Sequence, residues 1–192
     1  MDELYISEIY IYPIKSLGGI SLKQANVENK GLQYDRRWML IDDEGTFVSQ
    51  RKHTSLALLQ VEIQDDLVLV YEKENPLKRI SFPLSEHINK AISVSIWDDE
   101  TIGFEVNTSV SKWFSQYLKM PVRLILMSEQ TMRNVDERYA LNNEVVSFAD
   151  GYPNLIIGQA SLNLLNEKLY EPIPMNRFRP NFVFTGGLPH SE

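Results

Sequence analysis

Residues 12–19 read Tyr-Pro-Ile-Lys-Ser-Leu-Gly-Gly and separate an apolar run at 5–12 from a second one that opens at residue 20. Pro13 ends strand pairing because its nitrogen has no hydrogen to donate, and the two glycines permit backbone conformations closed to other residues. Between them, Lys15 and Ser16 supply a cation and a hydroxyl beside free backbone N–H groups, a combination that could hold an anion. An ordinary inter-strand turn with a solvated lysine fits the same spacing, and the stretch taken alone favours that turn.

The composition predicts a folded protein of one large domain or two small ones. Of the 192 residues, 43% are hydrophobic and 23% are charged, which is enough for a packed core. The net charge of −7 argues against a general nucleic-acid binder, because phosphate backbones require a net basic face, but it permits a local basic pocket. No run of 18 apolar residues and no signal-peptide layout are present, so we expect a cytoplasmic protein without a membrane partner.

The residue inventory excludes several kinds of catalytic site. The sequence contains no cysteine, and its three histidines lie far apart without metal-ligand spacing. Phosphate-binding glycine loops of the P-loop or dinucleotide type, a GxSxG elbow and an HExxH helix are all missing. Two acidic trios, at 42–44 and 98–100, fall at predicted hairpin tips, and we interpret them as turn residues rather than as paired catalytic carboxylates.

Short apolar runs separated by polar turns predict a β-rich α+β chain, with the strands forming a barrel or a sandwich. Apolar residues at helical spacing from Val110 predict one helix, with Thr108 or Ser109 as its cap and Pro121 after its end. A second helix is predicted to be capped by Ser161 and to extend through Leu169. Strands are predicted at 4–12, 20–27, 37–42, 46–48, 56–63, 67–71, 79–82, 91–97, 101–106, 122–127, 154–157 and 177–185.

Residues 132–143 are polar and mixed in sign, and we interpret them as a long loop. Its charged side chains are expected to be a solvated surface rather than a site. They are Arg133, Asp136, Glu137 and Arg138.

Several cations fall beside turns and strand ends. Arg177 and Arg179 would share one face of the predicted strand, since residues two apart point the same way. Arginine suits phosphate because its planar fork donates two parallel hydrogen bonds. A pocket for anions and a set of separate surface charges both remain open for this pair, and the surface interpretation is favoured for the other cations. The others are Lys15, Arg36, Arg37, Arg51 and Lys52.

An ordered set of short motifs resembles the MOSC-domain proteins that carry an N-terminal MOSC beta-barrel domain. Among these proteins, the motif set most resembles that of the mitochondrial amidoxime reducing component and its bacterial relatives. This resemblance implies an N-terminal MOSC beta-barrel domain over residues 1–125 and the start of a MOSC beta-barrel domain over 126–192. The motifs are YPIKS at 12–16, GLQYDRRW at 31–38, VSQR at 48–51, WDD at 97–99, YP at 152–153, ASL at 160–162 and RFRPN at 177–181.

The resemblance implies a molybdenum-cofactor oxidoreductase. Relatives bind a molybdopterin-type cofactor and reduce N-hydroxylated small molecules with electrons from a flavin or iron–sulfur protein or domain. The cofactor-binding positions of the family fall on residues within these motifs. The residues carried over are Lys15, Ser16, Arg36, Arg51, Ser161, Arg179 and Asn181.

One departure from the family concerns the metal. In the family a cysteine beyond the Arg-Pro-Asn strand holds the molybdenum, whereas this sequence ends at Glu192 without one. We therefore expect a C-terminally incomplete chain that is an enzyme when full length and inactive alone, because a soft thiolate ligand is missing. Two alternatives stay open. One is a non-catalytic binding module for a phosphorylated ligand or partner protein, and the other is a MOSC sulfur carrier.

Overall fold

The computed structural model describes residues 3–192, and short strands account for most of its regular structure. These residues form thirteen strands, two α-helices and two short 3-10 helices, which confirms the predicted β-rich class. The helices are α1 (Thr108–Leu118) and α2 (Gln159–Asn166), and the 3-10 turns span Thr54–Leu58 and Met175–Arg177. The strands are β1 (Tyr5–Ile11), β2 (Ile20–Leu22), β3 (Val27–Glu28), β4 (Gly31–Leu32), β5 (Trp38–Ile41), β6 (Leu59–Gln64), β7 (Leu67–Glu72), β8 (Asn75–Pro83), β9 (Ala91–Ile96), β10 (Asp99–Glu105), β11 (Arg123–Leu126), β12 (Ile156–Gly158) and β13 (Phe182–Thr185).

The strands form four separate sheets. Two have four strands, in the orders β12-β13-β1-β2 and β5-β11-β10-β9, and two smaller ones pair β3 with β4 and β6-β7-β8. Over residues 3–192, none of the four closes on itself as a barrel. The predicted domain boundary near residue 125 stays a prediction, although the first sheet joins strands from both sides of it.

Pairing between β1 and β13 brings the two ends of the chain together. The strands are antiparallel, with Ile9 opposite Phe182, so the C-terminal end of β1 lies beside the N-terminal end of β13. The stretch at 12–19 follows β1 and the arginine-rich stretch at 177–181 precedes β13, so both lie at the same end of this strand pair. An isolated parallel bridge between Ile14 and Trp38 then fixes the first stretch against β5.

Strand β5 is wholly buried and anchors the largest core cluster. Trp38 packs edge-on against Phe82, with ring centroids 6.2 Å apart, and Phe114 of α1 belongs to the same cluster. Burial of such aromatic rings contributes much of the stability of a domain this size. Because Ile14 bridges to Trp38, this core also fixes the backbone of residues 13–15.

No helix among residues 3–192 is long and apolar enough to cross a bilayer.

The N-terminal end of α1 differs by one residue from its prediction. The cap is Asn107, whose side-chain oxygen accepts a hydrogen bond from the Val110 N–H at 2.7 Å. Asparagine caps well because its short amide reaches the free N–H groups of the first turn. Thr108 and Ser109 lie inside the helix instead, while Pro121 follows its end as predicted.

Replacing Asn107 with alanine is expected to lower the free energy of unfolding by about 1 kcal/mol, because the first-turn N–H loses its acceptor. Urea unfolding followed by tryptophan fluorescence measures this change. Ser109→Ala is the matched control, since its exposed side chain makes no capping bond, and a change of about 0.5 kcal/mol at most is expected. An equal loss in both variants would contradict the cap assignment.

Further elements differ from their predictions. Residues 46–48 form no strand, only isolated bridges at Thr46 and Phe47, and residues 56–58 of the strand predicted at 56–63 belong to a 3-10 turn. Gly158, not Ser161, is the N-cap of α2, and the helix ends at Asn166, so Leu169 lies beyond it. Residues 177–181 are not a strand: Arg177 ends a 3-10 turn and β13 begins only at Phe182. Pro180 has no N–H for a strand ladder, and the positive φ of Arg179 (59°) turns the chain before it.

Candidate functional site

A cavity of about 490 Å³ lies where the loop after β1 meets the loop before β13. This volume falls in the usual range for small-molecule sites. Ser161 is not among its lining residues. Its hydroxyl donates to the Glu192 carboxylate and accepts from the His190 N–H. The other six candidate residues do line it, namely Lys15, Ser16, Arg36, Arg51, Arg179 and Asn181.

The cavity is strongly positive although the whole chain is acidic. Asp150 is the carboxylate that faces five cations among the lining residues. An anion entering the cavity would thus meet fixed cations in a confined space, where charge attraction is less screened than in water. The five cations are Lys15, Arg36, Arg51, Arg177 and Arg179.

Lys15 forms part of the cavity floor. Its side chain is buried, with the residue only 6% exposed. The Nζ atom donates to the Phe148 carbonyl at 2.8 Å and to Asp150 Oδ1 at 2.6 Å, which leaves one of its three N–H donors for a ligand. Burial disfavours the charged ammonium and lowers the pKa of Lys15 to about 8. Its charge therefore changes just above neutral pH.

Arg36 is held by a buried carboxylate. Its Nη1 atom donates to Asp35 Oδ2 at 2.6 Å and to Asn181 Oδ1 at 3.0 Å, and its Nη2 atom donates to the Arg179 carbonyl at 3.1 Å. Asp35 is fully buried and also accepts from the Tyr12 N–H at 2.7 Å. The guanidinium is thus fixed on one side, and its remaining N–H groups are free of protein acceptors among residues 3–192.

The ring of Tyr12 contacts both Arg36 and Arg179. The guanidinium carbons of Arg36 and Arg179 lie 4.5 and 4.3 Å from the centroid of its buried ring, so each gains a cation–π contact. Arg179 also donates from Nη1 to the Leu17 carbonyl at 2.6 Å. Burial lowers the pKa of Arg179 to about 10, and the nearby charge of Arg36 adds to that effect. Arg179 therefore remains a cation at neutral pH.

Asn181 organises the site rather than offering free groups to it. It is 1% exposed. Its Oδ1 atom accepts from Arg36 and from the Leu155 N–H at 3.1 Å, and its Nδ2 atom donates to the Tyr10 carbonyl at 3.1 Å. The Asn181 side chain thereby links the end of β1 to the start of β12 and to Arg36.

Backbone strain is concentrated at the cavity. Positive φ is uncommon for residues other than glycine and costs of order 1–3 kcal/mol for side chains that do not favour it. Of nine such residues within 3–192, four line the cavity. The four are Ser16 (71°), Arg36 (49°), Trp97 (55°) and Arg179 (59°). Strain of this kind is typical of sites where the chain must present a group to a ligand.

Arg133 contradicts the surface interpretation. The loop at 132–143 has no helix or strand, as predicted, and Arg138 does form an exposed ion pair with Asp136. Arg133, however, is 4% exposed and sits in the wall behind the cavity. The difference arises because a neighbouring irregular segment needs partners for its buried carbonyl groups.

All five N–H donors of Arg133 are satisfied. Nε and Nη2 donate to Asp99 Oδ2 at 3.0 and 2.6 Å. The remaining bonds go to the backbone carbonyls of Ser147, Ala149 and Asp150 at 2.9, 2.7 and 2.9 Å. Since Lys15 takes the carbonyl between them, four consecutive carbonyl groups are held by two side-chain cations. Nothing in the spacing of residues 132–143 indicates this role.

Three positions at the mouth of the cavity were not singled out by sequence reasoning as site residues. Asp150 ends the segment that Arg133 holds, Tyr152 lies two residues further along, and Trp97 occupies the turn between β9 and β10. The Trp97 Nε1 atom donates to Asp150 Oδ1 at 3.2 Å, and the Arg51 guanidinium lies 4.8 Å from the centroid of its ring. Trp97 belongs to one of the motifs that carry the family resemblance, which was the available signal.

Residues 3–121 match the MOSC N-terminal beta barrel domain. The chain belongs to this family. It is 30% identical to mitochondrial amidoxime-reducing component 1 of Mus musculus, over 94% of this chain and 55% of that protein. It is 28% identical to mitochondrial amidoxime reducing component 2 of Bos taurus, over 94% of this chain and 56% of that protein.

A third relative has a different name. The chain is 27% identical to the molybdenum cofactor sulfurase of Bombyx mori, over 94% of this chain and 24% of that protein. The chain thus spans about half the length of the amidoxime-reducing relatives and about a quarter of this sulfurase. The MOSC relationship expected from the motifs is confirmed. The name of this sulfurase refers to the molybdenum cofactor, which is the cofactor that the motif resemblance implies.

Proposed function

We propose that this chain binds the phosphate end of a molybdopterin-type molybdenum cofactor and forms part of a MOSC-class oxidoreductase. The observation that carries the proposal is the meeting of Lys15, Arg36 and Arg179 in one cavity of an otherwise acidic protein. These cations come from stretches far apart in sequence, and their neighbours hold them in fixed positions. Fixed cations of this kind are what a phosphate requires.

The residues fit the phosphate in distinct ways. Lys15 has one N–H donor left and would act as a point charge at the floor. Arg179 uses one of its five donors on the Leu17 carbonyl, so its fork can still bind two phosphate oxygens. Ser16 adds a hydroxyl on a strained turn, while its carbonyl is held by Gln50 Nε2 at 2.6 Å. Asn181 and Asp35 orient Arg36 rather than the ligand.

The residues present fit the metal end less well. These 192 residues include no cysteine, and among residues 3–192 no group of three His, Cys, Asp or Glu side chains could hold a metal ion. A thiolate ligand for molybdenum would therefore have to come from outside them. When bound, the cofactor would supply the redox chemistry, and this chain would hold its phosphate and exclude water around it.

The activity proposed for the whole protein follows from the family. We expect reduction of N-hydroxylated small molecules, with electrons from a flavin or iron–sulfur protein or domain, in the cytoplasm. The side chains of Lys15, Arg36 and Arg179 would keep the cofactor in place through each catalytic cycle. These assignments concern the protein from its full reading frame.

Cofactor retention tests the site. The protein from the full reading frame would be loaded with molybdopterin and compared with its Lys15→Ala, Arg36→Ala and Arg179→Ala variants, the bound pterin being released and quantified. A charged hydrogen bond is worth about 1.5–3 kcal/mol, so about 10- to 100-fold weaker retention is expected for each variant. Arg138→Ala removes an exposed arginine outside the cavity and serves as the control. Unchanged retention in all three variants would reject the site.

A second candidate is a MOSC protein without this reductase activity. The similarity to a molybdenum cofactor sulfurase favours a sulfur carrier, and the lack of cysteine favours a binding module for a phosphorylated ligand or partner protein. The residues that follow Glu192 in the reading frame separate the possibilities. A downstream cysteine in a loop after a strand supports the reductase or the sulfur carrier, and assays of N-hydroxyl reduction then distinguish these two. Its absence leaves the binding module.

A further inference from the structure

We propose that Trp97 is a stacking platform at the mouth of the cavity, which makes the site select phosphate ligands that carry a planar heteroaromatic ring. The inference rests on the proposed binding of a phosphate by the cavity floor and adds the second half of the ligand. It assigns a binding role to a side chain outside the set of candidate cofactor residues.

Trp97 is exposed but held in place. The residue is 48% exposed, which is unusual for so large an aromatic ring beside charged groups. Its Nε1 atom donates to Asp150, and its ring meets the Phe47 ring edge-on with centroids 4.8 Å apart. Its backbone has a φ of 55°, a costly conformation for a bulky side chain. The two-residue turn between β9 and β10 accounts for the positive φ, whereas the hydrogen bond and the ring contact fix an indole that stays about half exposed.

The platform is joined directly to the phosphate-binding floor. Asp150 Oδ1 accepts one hydrogen bond from Lys15 Nζ at 2.6 Å and another from Trp97 Nε1 at 3.2 Å. The ammonium and the indole nitrogen are therefore separated by no more than two hydrogen-bond lengths. A phosphate bound at Lys15 would bring the rest of its molecule beside the indole.

The rim around Trp97 also suits a planar group. The guanidinium carbon of Arg51 lies 4.8 Å from the centroid of the indole ring, so this face of the ring already makes a cation–π contact. No carboxylate within residues 3–192 forms a salt bridge with Arg51, so the guanidinium is free to move or to cover a ligand ring. Tyr152 and Phe178, both exposed, add aromatic surface to the same mouth. Aromatic faces above fixed cations match a ligand with a ring at one end and a phosphate at the other.

Binding of simple phosphates tests the platform. The protein from the full reading frame would be produced in a host that makes no molybdopterin, and dissociation constants would be measured by calorimetry at constant salt. The probes are inorganic phosphate, ribose 5-phosphate and GMP, whose purine supplies the ring. Base stacking on an aromatic side chain predicts that GMP binds about tenfold more tightly than ribose 5-phosphate.

The variants separate the two proposals. Trp97→Ala is expected to abolish the preference for GMP while ribose 5-phosphate binds within about twofold of its original affinity. Trp97→Phe should restore most of the preference, and Tyr170→Ala, which removes a fully exposed ring outside the cavity, should leave it unchanged. An equal GMP preference in wild type and Trp97→Ala, or no preference in wild type, would overturn the platform alone. Failure of all three probes to bind wild type would overturn the proposed function and the platform together.

Discussion

Replacing Arg133 with methionine is expected to destabilise the protein by about 3–5 kcal/mol, because three backbone carbonyls lose their donor at about 1–3 kcal/mol each, while the half-exposed Asp99 adds little. The guanidinium satisfies three backbone carbonyls and Asp99, and methionine offers none of these donors. Each buried carbonyl left without a partner adds to the loss. Urea unfolding followed by fluorescence measures the change, with the curves of both proteins fitted to one common m value.

Arg138→Met provides the matched control for this experiment. Arg138 lies in the same loop and also pairs with an aspartate, but it is exposed to water. Exposed pairs contribute little, so little or no change is expected. Equal effects in the two variants would show that the buried hydrogen bonds of Arg133 do not stabilise the fold. If the expected difference appears, the segment at 147–150 that holds Lys15 is itself held by Arg133.

Sulfate binding is expected to weaken by close to tenfold between pH 7 and pH 9. The pKa of Lys15 is lowered by burial to about 8, so the side chain is a cation below that pH and neutral above it. The sign is fixed: raising the pH removes positive charge from the floor and lowers anion affinity. Sulfate is a suitable probe because its own charge stays constant in this range. Calorimetry at constant ionic strength gives the dissociation constants.

Two substitutions test whether Lys15 causes the change. Lys15→Arg keeps a positive charge throughout the range, so its affinity should stay level. Lys15→Met removes the charge without a large change in length, so its binding should be weaker and also level. Arg179, whose pKa is about 10, is still mostly protonated at pH 9. The same fall in all three proteins would show that another group controls the pH dependence.

Local sequence pattern was sufficient for the class of the fold and for one helix. Apolar residues recurring from Val110 at helical spacing placed α1, and alternating short runs placed most strands, because these features depend on neighbours within a few residues. It also identified the loop at 12–19 as a stop between strands. The ordered motifs carried the family, which the match over residues 3–121 confirmed.

Local pattern failed where long-range contacts decide the structure. The helix predicted to be capped by Ser161 already begins at Gln159, and the strand predicted at 177–185 begins only at Phe182. Arg177 and Arg179 still reach the cavity together, but a 3-10 turn and a positive φ bring them there, not the shared face of a strand. Both arginines line one cavity, through a local geometry that differs from the predicted strand.

The sequence by itself determined a β-rich chain of the MOSC family with cations at its strand ends, since residue type and short spacing carry that information. Only the tertiary structure decided that these cations form one cavity. Pairing of β1 with β13 joins residues more than 170 positions apart, and no local signal encodes such a contact. Burial then gave Lys15 its lowered pKa and turned Arg133 from an expected surface charge into the support of the 147–150 segment. The stretch at 12–19 became a wall of the site because unsatisfied carbonyls and charges inside a protein must find partners, whatever their distance in sequence.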